Sequence, residues 1–161
     1  MAIGAKTTRP GWSGSLLALV GVAVGLAGCG GGGSLSQAQF VSRADAECRA
    51  TNSRIAALPT PSNLTGLASY ASGTRSATAQ LHQSLASLKT PKADQPALAR
   101  YLAVLEHGNA ILARISTAAA AGESASVSSL GKELAALPTA SLASKAGLPT
   151  CAADTGSSTT G

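Results

Sequence analysis

Read from the amino end, the chain passes from one unbroken apolar run to a series of apolar stripes at helical spacing. Met1 to Pro10 holds two cations, Lys6 and Arg9, and no acid, and the stretch from Ser15 to Gly28 that follows is apolar almost throughout. A charged opening followed by a short apolar segment is the layout of an export signal. The run falls short of the roughly 20 apolar residues that a spanning helix needs. Residues 1–28 are therefore expected to be a signal peptide. Gly30 to Gly33 and Ser34 come next, a composition that behaves as a flexible tether.

Beyond the tether the period changes to that of amphipathic helices. Ser36 and Gln39 have the spacing of a capping box, and Leu35 can staple onto Phe40. Phe40, Ala44, Cys48, Thr51, Ile55 and Leu58 then share one face, with Arg43/Glu47 and Asp45/Arg49 at i,i+4 on the flanks, until Pro59 and Pro61 end the element. A second helix is expected from about Asn63, with Leu64, Leu67, Ala71, Thr74, Thr78, Leu81, Leu85 and Leu88 as its seam and Thr90-Pro91 as its end. The middle of that seam, around Gly73 and Thr74, is polar and weak. A third opens at Asp94-Gln95-Pro96, where proline is tolerated in the first turn. It carries Leu98, Tyr101, Leu102, Leu105, Asn109, Leu112, Ile115 and Ala119 to a break at Gly122. A fourth, from about Glu123 to Leu137, presents Val127, Leu130, Leu134 and Leu137. Pro138 kinks or splits it, and a last turn or two reaches Gly147, a C′ residue followed by Pro149.

Four helices joined by short loops predict an all-α fold, a small antiparallel bundle with a kinked last helix. The domain layout is a signal peptide (1–28), a first mature residue and tether (29–34), a helical domain (35–152) and a disordered Ser/Thr/Gly tail (153–161).

Composition makes the core a thin one. The apolar fraction of 45% is mostly Ala and Leu, with only 2% aromatic and 12% charged residues. Small side chains bury little area, and at roughly 25 cal/mol per Å² they leave a narrow margin over chain entropy. The formal charge of +5 includes Lys6 and Arg9; past Cys29 there are ten Lys/Arg against seven Asp/Glu, a net of +3. These charges are scattered, without a basic cluster or interleaved aromatics, so the pattern of a nucleic-acid binder is missing. A weak, non-specific attraction to anionic lipid or cell-wall polymer is compatible with the charge.

The apolar run ends in Leu26-Ala27-Gly28-Cys29, which resembles the bacterial lipobox at each of its four positions. The resemblance implies transfer of a diacylglyceryl group to the Cys29 sulfur, cleavage between Gly28 and Cys29, and in many bacteria acylation of the new amino group. Each buried CH₂ contributes roughly 0.8 kcal/mol, so two or three acyl chains such as palmitate hold a protein firmly to the outer face of the cell membrane. Assigning Cys29 to lipid leaves Cys48 and Cys151 as an even pair in an oxidising compartment, and a disulfide between them is expected. Two free thiols or a two-ligand metal site are the alternatives; no His/Cys spacing accompanies them. A closed loop of about 100 residues corresponds to roughly 4.7 kcal/mol in the chain-entropy account, a large share for a core of this composition.

The remaining chemistry is sparse. His82 and His107 are the two histidines, without a third clustered ligand. Asp45 and Glu47 point in different directions on their helix, and Glu106 and Glu133 read as isolated acids on solvated faces. There is no Gly-x-Ser-x-Gly elbow, and Gly30–Gly33 lacks the lysine and preceding strand of a phosphate loop. Asn63-Leu64-Thr65 matches a glycosylation sequon, of little weight in a bacterial protein. Neither a catalytic residue, a metal nor a cofactor is expected.

Together, the lipobox with its glycines, the Leu35-Ser36…Phe40 opening, Ala44-Asp45-Ala46 before Cys48 and the terminal Gly147-Leu148…Cys151 resemble small helical lipoproteins of high-GC actinobacteria. That resemblance implies location and staple but no chemistry. The functional expectation is a non-enzymatic binding or interaction module at the cell envelope, with an envelope protein or cell-wall component as partner. The alternative is a structural or envelope-stress spacer without a specific ligand. Gly73, Thr74 and Thr78 are expected either to line a binding groove or to form a loosely packed seam, the second being the preferred reading.

Overall fold

The computed structural model describes residues 34–153, and these form six α-helices without a strand among them: α1 (Gln37–Ala56), α2 (Leu64–Ser87), α3 (Gln95–Ala120), α4 (Ser124–Ala135), α5 (Thr139–Lys145) and α6 (Pro149–Ala153). The expected signal peptide (1–28), Cys29 with the glycines after it, and the expected tail from 154 onward lie outside the described residues.

α1 begins as its sequence predicts. The Ser36 hydroxyl accepts from Gln39 N at 3.3 Å, and Ser36 N donates to Gln39 Oε1 at 3.1 Å, a complete capping box. Leu35 packs onto the cluster that contains Phe40. α2 is capped by Asn63, whose Oδ1 accepts from Gly66 N at 2.7 Å. α3 starts at Gln95, but Asp94 makes no capping bond. Pro96, the second helical residue, has no N–H to offer at a position where a cap side chain would look for one.

Cross-helix pairs fix the directions of the long helices. Leu35 N donates to Lys89 O at 2.7 Å while Leu58, past the end of α1, lies against Gly73 in the first half of α2. Ser116 bonds to Ala68 O, and Thr78 bonds to Asn109. Arg114 pairs with Glu133, while Gly108 faces Leu137. In each couple the residue numbers run in opposite senses, so α1, α2, α3 and α4 succeed one another antiparallel, as expected for short loops.

α3 is the central helix, packed on α2, α4 and α5. This explains a difference from the stripe read in the sequence. Besides the expected Leu98, Tyr101, Leu105, Leu112, Ile115 and Ala119, the helix also buries Val104, Gly108, Ile111 and Ala118. A single stripe suits a helix with one neighbouring layer; α3 needs a wider apolar arc to serve two.

Of the two outcomes expected at Pro138, a kink or a split, the structure shows the split, into α4 and α5, and a further short helix, α6, follows Gly147. Pro138 stands before α5 in the position of its cap and separates it from α4. Gly147, at φ +72°, ends α5, with Leu148 N donating to Ala143 O at 3.0 Å, the bond of a Schellman close. Pro149 then opens α6, which the sequence reading took only as a stop. Proline at a first helical position loses nothing, since its missing N–H has no partner there. The helical domain accordingly runs to Ala153, one residue past the expected limit.

The core falls into two parts. The larger is built from Phe40, Ala44 and Cys48 of α1, Leu81 and Leu85 of α2, the first three turns of α3, and the residues around α5 and α6. The smaller joins Ala71 to Ile111, Leu112, Ile115 and Ala118 of α3 and Leu130 of α4. Half-buried Leu137 touches both.

Candidate functional site

Three places in the described domain gather polar or reactive groups. The first is the cysteine pair. Cys48 and Cys151 form a disulfide, with 5.2 Å between their Cα atoms and a sequence separation of 103. α1 turns Cys48 inward because it shares the face of Phe40 and Ala44, and α6 brings Cys151 back onto it. One turn before Cys48, Asp45 Oδ1 accepts from Thr150 N at 3.3 Å. The same face of α1 thus holds α6 twice, once by a covalent bond and once by a carboxylate on its first turn. The expected Asp45–Arg49 pair gives way to this contact. Cys48 and Cys151 are closed to exchange with solvent, at 1% and 5% exposure.

The second place is the polar middle of the α2–α3 seam. Thr78 donates across it to Asn109 Oδ1 and lies 3.0 Å from Thr74 O. A Cβ on Gly73 would meet Leu58 Cδ2 at 2.7 Å, so the space beside this glycine is filled from the end of α1. Thr78 and Asn109 separate the two parts of the core, and the Thr74 hydroxyl is buried there without a partner. The geometry is that of a closed seam.

The third place is an open groove of about 760 Å³ at the end of the bundle where the described chain begins. Leu88, Leu98 and Leu102 supply apolar lining, and Ser34, Lys89 and Lys92 lie among its other residues. The loop after α2 is held by its own bonds. Lys89 O accepts from Leu35 N, Thr90 O accepts from Gln95 Nε2 at 3.2 Å, and Asp94 N donates to Pro91 O at 2.9 Å. Sequence reasoning missed this groove because its parts are apolar residues at the fraying end of two stripes, brought together only by the loop.

Elsewhere the titratable groups are on outer faces. Glu133, read as isolated, sits between Arg114 at 3.3 Å and His107 at 3.9 Å across α3 and α4, all three well exposed. Such pairs contribute little. Tyr101 is the exception. It is 2% exposed, and burial pushes its phenol up to about 12. Among the described residues no three His, Cys, Asp or Glu side chains cluster as a metal site would require, and no helix is long and apolar enough to cross a membrane. Gly28 and Cys29 lie outside those residues. No family profile, curated protein or solved structure matches this chain.

Proposed function

We propose that the chain is an extracytoplasmic lipoprotein of actinobacterial type, held to the membrane by lipid on Cys29, whose helical bundle is a non-enzymatic interaction module at the cell envelope. The observation that carries this is Leu26-Ala27-Gly28-Cys29 at the end of a short apolar run behind Lys6 and Arg9. The Cys48–Cys151 disulfide supports it independently, since such bonds persist outside the reducing cytoplasm. The exposed faces of α3 and α4 and the open groove are the surfaces available to a partner such as an envelope protein or a cell-wall component.

The closed α2–α3 seam favours a second reading. With Thr78 engaged by Asn109 and Gly73 covered by Leu58, a ligand held between helices has no room there, as befits a spacer that binds no specific ligand. Crosslinking of the protein in its native membrane, followed by mass spectrometry, separates the two. A reproducible partner is the expected result; its absence under all growth conditions favours the spacer. The same spectra read the anchor. A chain beginning at diacylglyceryl-Cys29 is expected, and an unmodified Cys29 with Met1 still attached overturns the assignment.

A further inference from the structure

We infer that the end of the bundle carrying the Leu88–Leu98–Leu102 groove, Lys89 and Lys92 lies against the anionic bilayer that holds the lipid, so that the domain has a fixed membrane-facing end. The inference rests on the lipoprotein reading and adds an orientation to it.

Three observations converge on this end. Ser34 lines the groove, and the Leu35–Lys89 backbone bond pins the incoming chain to the loop that bears both lysines. Ser34 is five positions along the chain from Cys29, so the lipid is attached within about 18 Å of chain from the groove. That is a short leash beside a helix such as α3, whose 26 residues make it about 39 Å long. The charge is also of the right sign. Lys89 and Lys92 are exposed and outnumber Asp94, the half-buried acid of the same loop. Lys145, also exposed, is two residues from Gly147, which sits against Gln37 at the start of α1.

A bilayer surface of phosphate over apolar chains matches a groove of leucines with lysines around it. Long lysine side chains can lay their stems on apolar surface and put the ammonium among headgroup phosphates. The loop need not be ordered on contact, because its carbonyls at Lys89 and Thr90 are already bonded.

The experiment uses the mature lipidated protein purified from membranes and placed on vesicles of phosphatidylcholine alone or with phosphatidylglycerol. Lysines are acetylated with a neutral reagent and the rates are read by peptide mass spectrometry. Lys132 is the internal control. It neighbours Glu133, which pairs with Arg114, about 28 Å along α3 from Gln95. On phosphatidylglycerol, Lys89 and Lys92 should react at least about threefold more slowly than on phosphatidylcholine, the effect that a surface potential near −30 mV has on amine protonation alone. Lys132 should not change, and 1 M salt should abolish the difference. Equal rates on both vesicles, with lipid present on Cys29, overturn the orientation and leave the lipoprotein reading standing. Protection on both vesicle types that grows with protein density means that a second copy covers the groove, and also overturns it. A Cys29 without lipid overturns both readings.

Discussion

At the scale of single residues, the bundle's buried polar groups differ sharply in what they cost. Thr51 is 2% exposed, and its hydroxyl has no hydrogen-bond partner. Replacing it with valine removes an unmet desolvation penalty, so Thr51→Val should stabilise the protein by about 1 kcal/mol in urea titrations. Thr78→Val, one of the same chemical type, should do the opposite and cost about 1–2 kcal/mol, because it leaves Asn109 without its donor inside the seam. Tyr101 gives a pH dependence. Its phenol titrates near 12 when folded and near 10 when unfolded. Its contribution is whole below pH 10 and is lost as pH climbs from 10 to 12, where the unfolded chain releases a proton that the native state keeps. The loss is about 2–3 kcal/mol. Urea midpoints measured across that range should fall, and Tyr101→Phe should remove that share of the fall.

Among the elements, backbone conformation decides what can be changed. Gly122 and Gly147 hold φ of +77° and +72°, the first with nothing within 4 Å of a built Cβ. Alanine at either should cost about 1–2 kcal/mol from strain alone. Gly131, inside α4 and equally open, should gain about 1 kcal/mol on the same change. Thermal melts of the three variants test the contrast directly. The same distinction governs how legible the elements are. The limits of α1, α2 and α3 follow from local signals, namely the Ser36/Gln39 box, Asn63 and Gly122, and the structure keeps each of them. The arrangement after Leu137 is less legible, because Pro138 is compatible with a kink or a split and Pro149 gives no sign that it opens a helix. Only packing on α1 and α3 decides that short helices follow both. The width of the α3 arc was hidden for a related reason. Ala118 and Gly108 carry almost no apolar signal until a neighbouring helix closes over them, and Val104 and Ile111, though apolar, fall outside a single stripe. Of the candidate sites, the cysteine pair was visible through parity and the seam through its threonines. The groove depends on Leu88, just past α2, meeting Leu98 and Leu102 of α3 and was not.

For the whole molecule, the two-part core and the position of the disulfide belong together. Cys48 and Cys151 both sit in the larger part, with α1, α5 and α6, whereas the part around Ile111, Ile115 and Leu130 has no covalent tie. Reduction should lower global stability by roughly 3–5 kcal/mol. Comparing urea midpoints of the oxidised protein with those of Cys48→Ala/Cys151→Ala checks the size. Hydrogen exchange should show α6 losing protection first, since its five residues hold little more than one turn of their own.

The covalent loop also determines how the protein carries a load. Tension applied to the domain through Ser34 and Ala153 follows the shortest covalent route, along Ser34 to Cys48 and out through Cys151. The helices from α2 to α5 lie inside the bypass and bear none of it. A stretched oxidised chain should therefore yield only the part of α1 before Cys48 and the end of α6 past Cys151. Cutting the bond should release a further ~340–370 Å of contour from the 103-residue span. In mechanical terms the disulfide is a fuse placed in parallel with the bundle, and the bundle can be pulled upon without being unravelled.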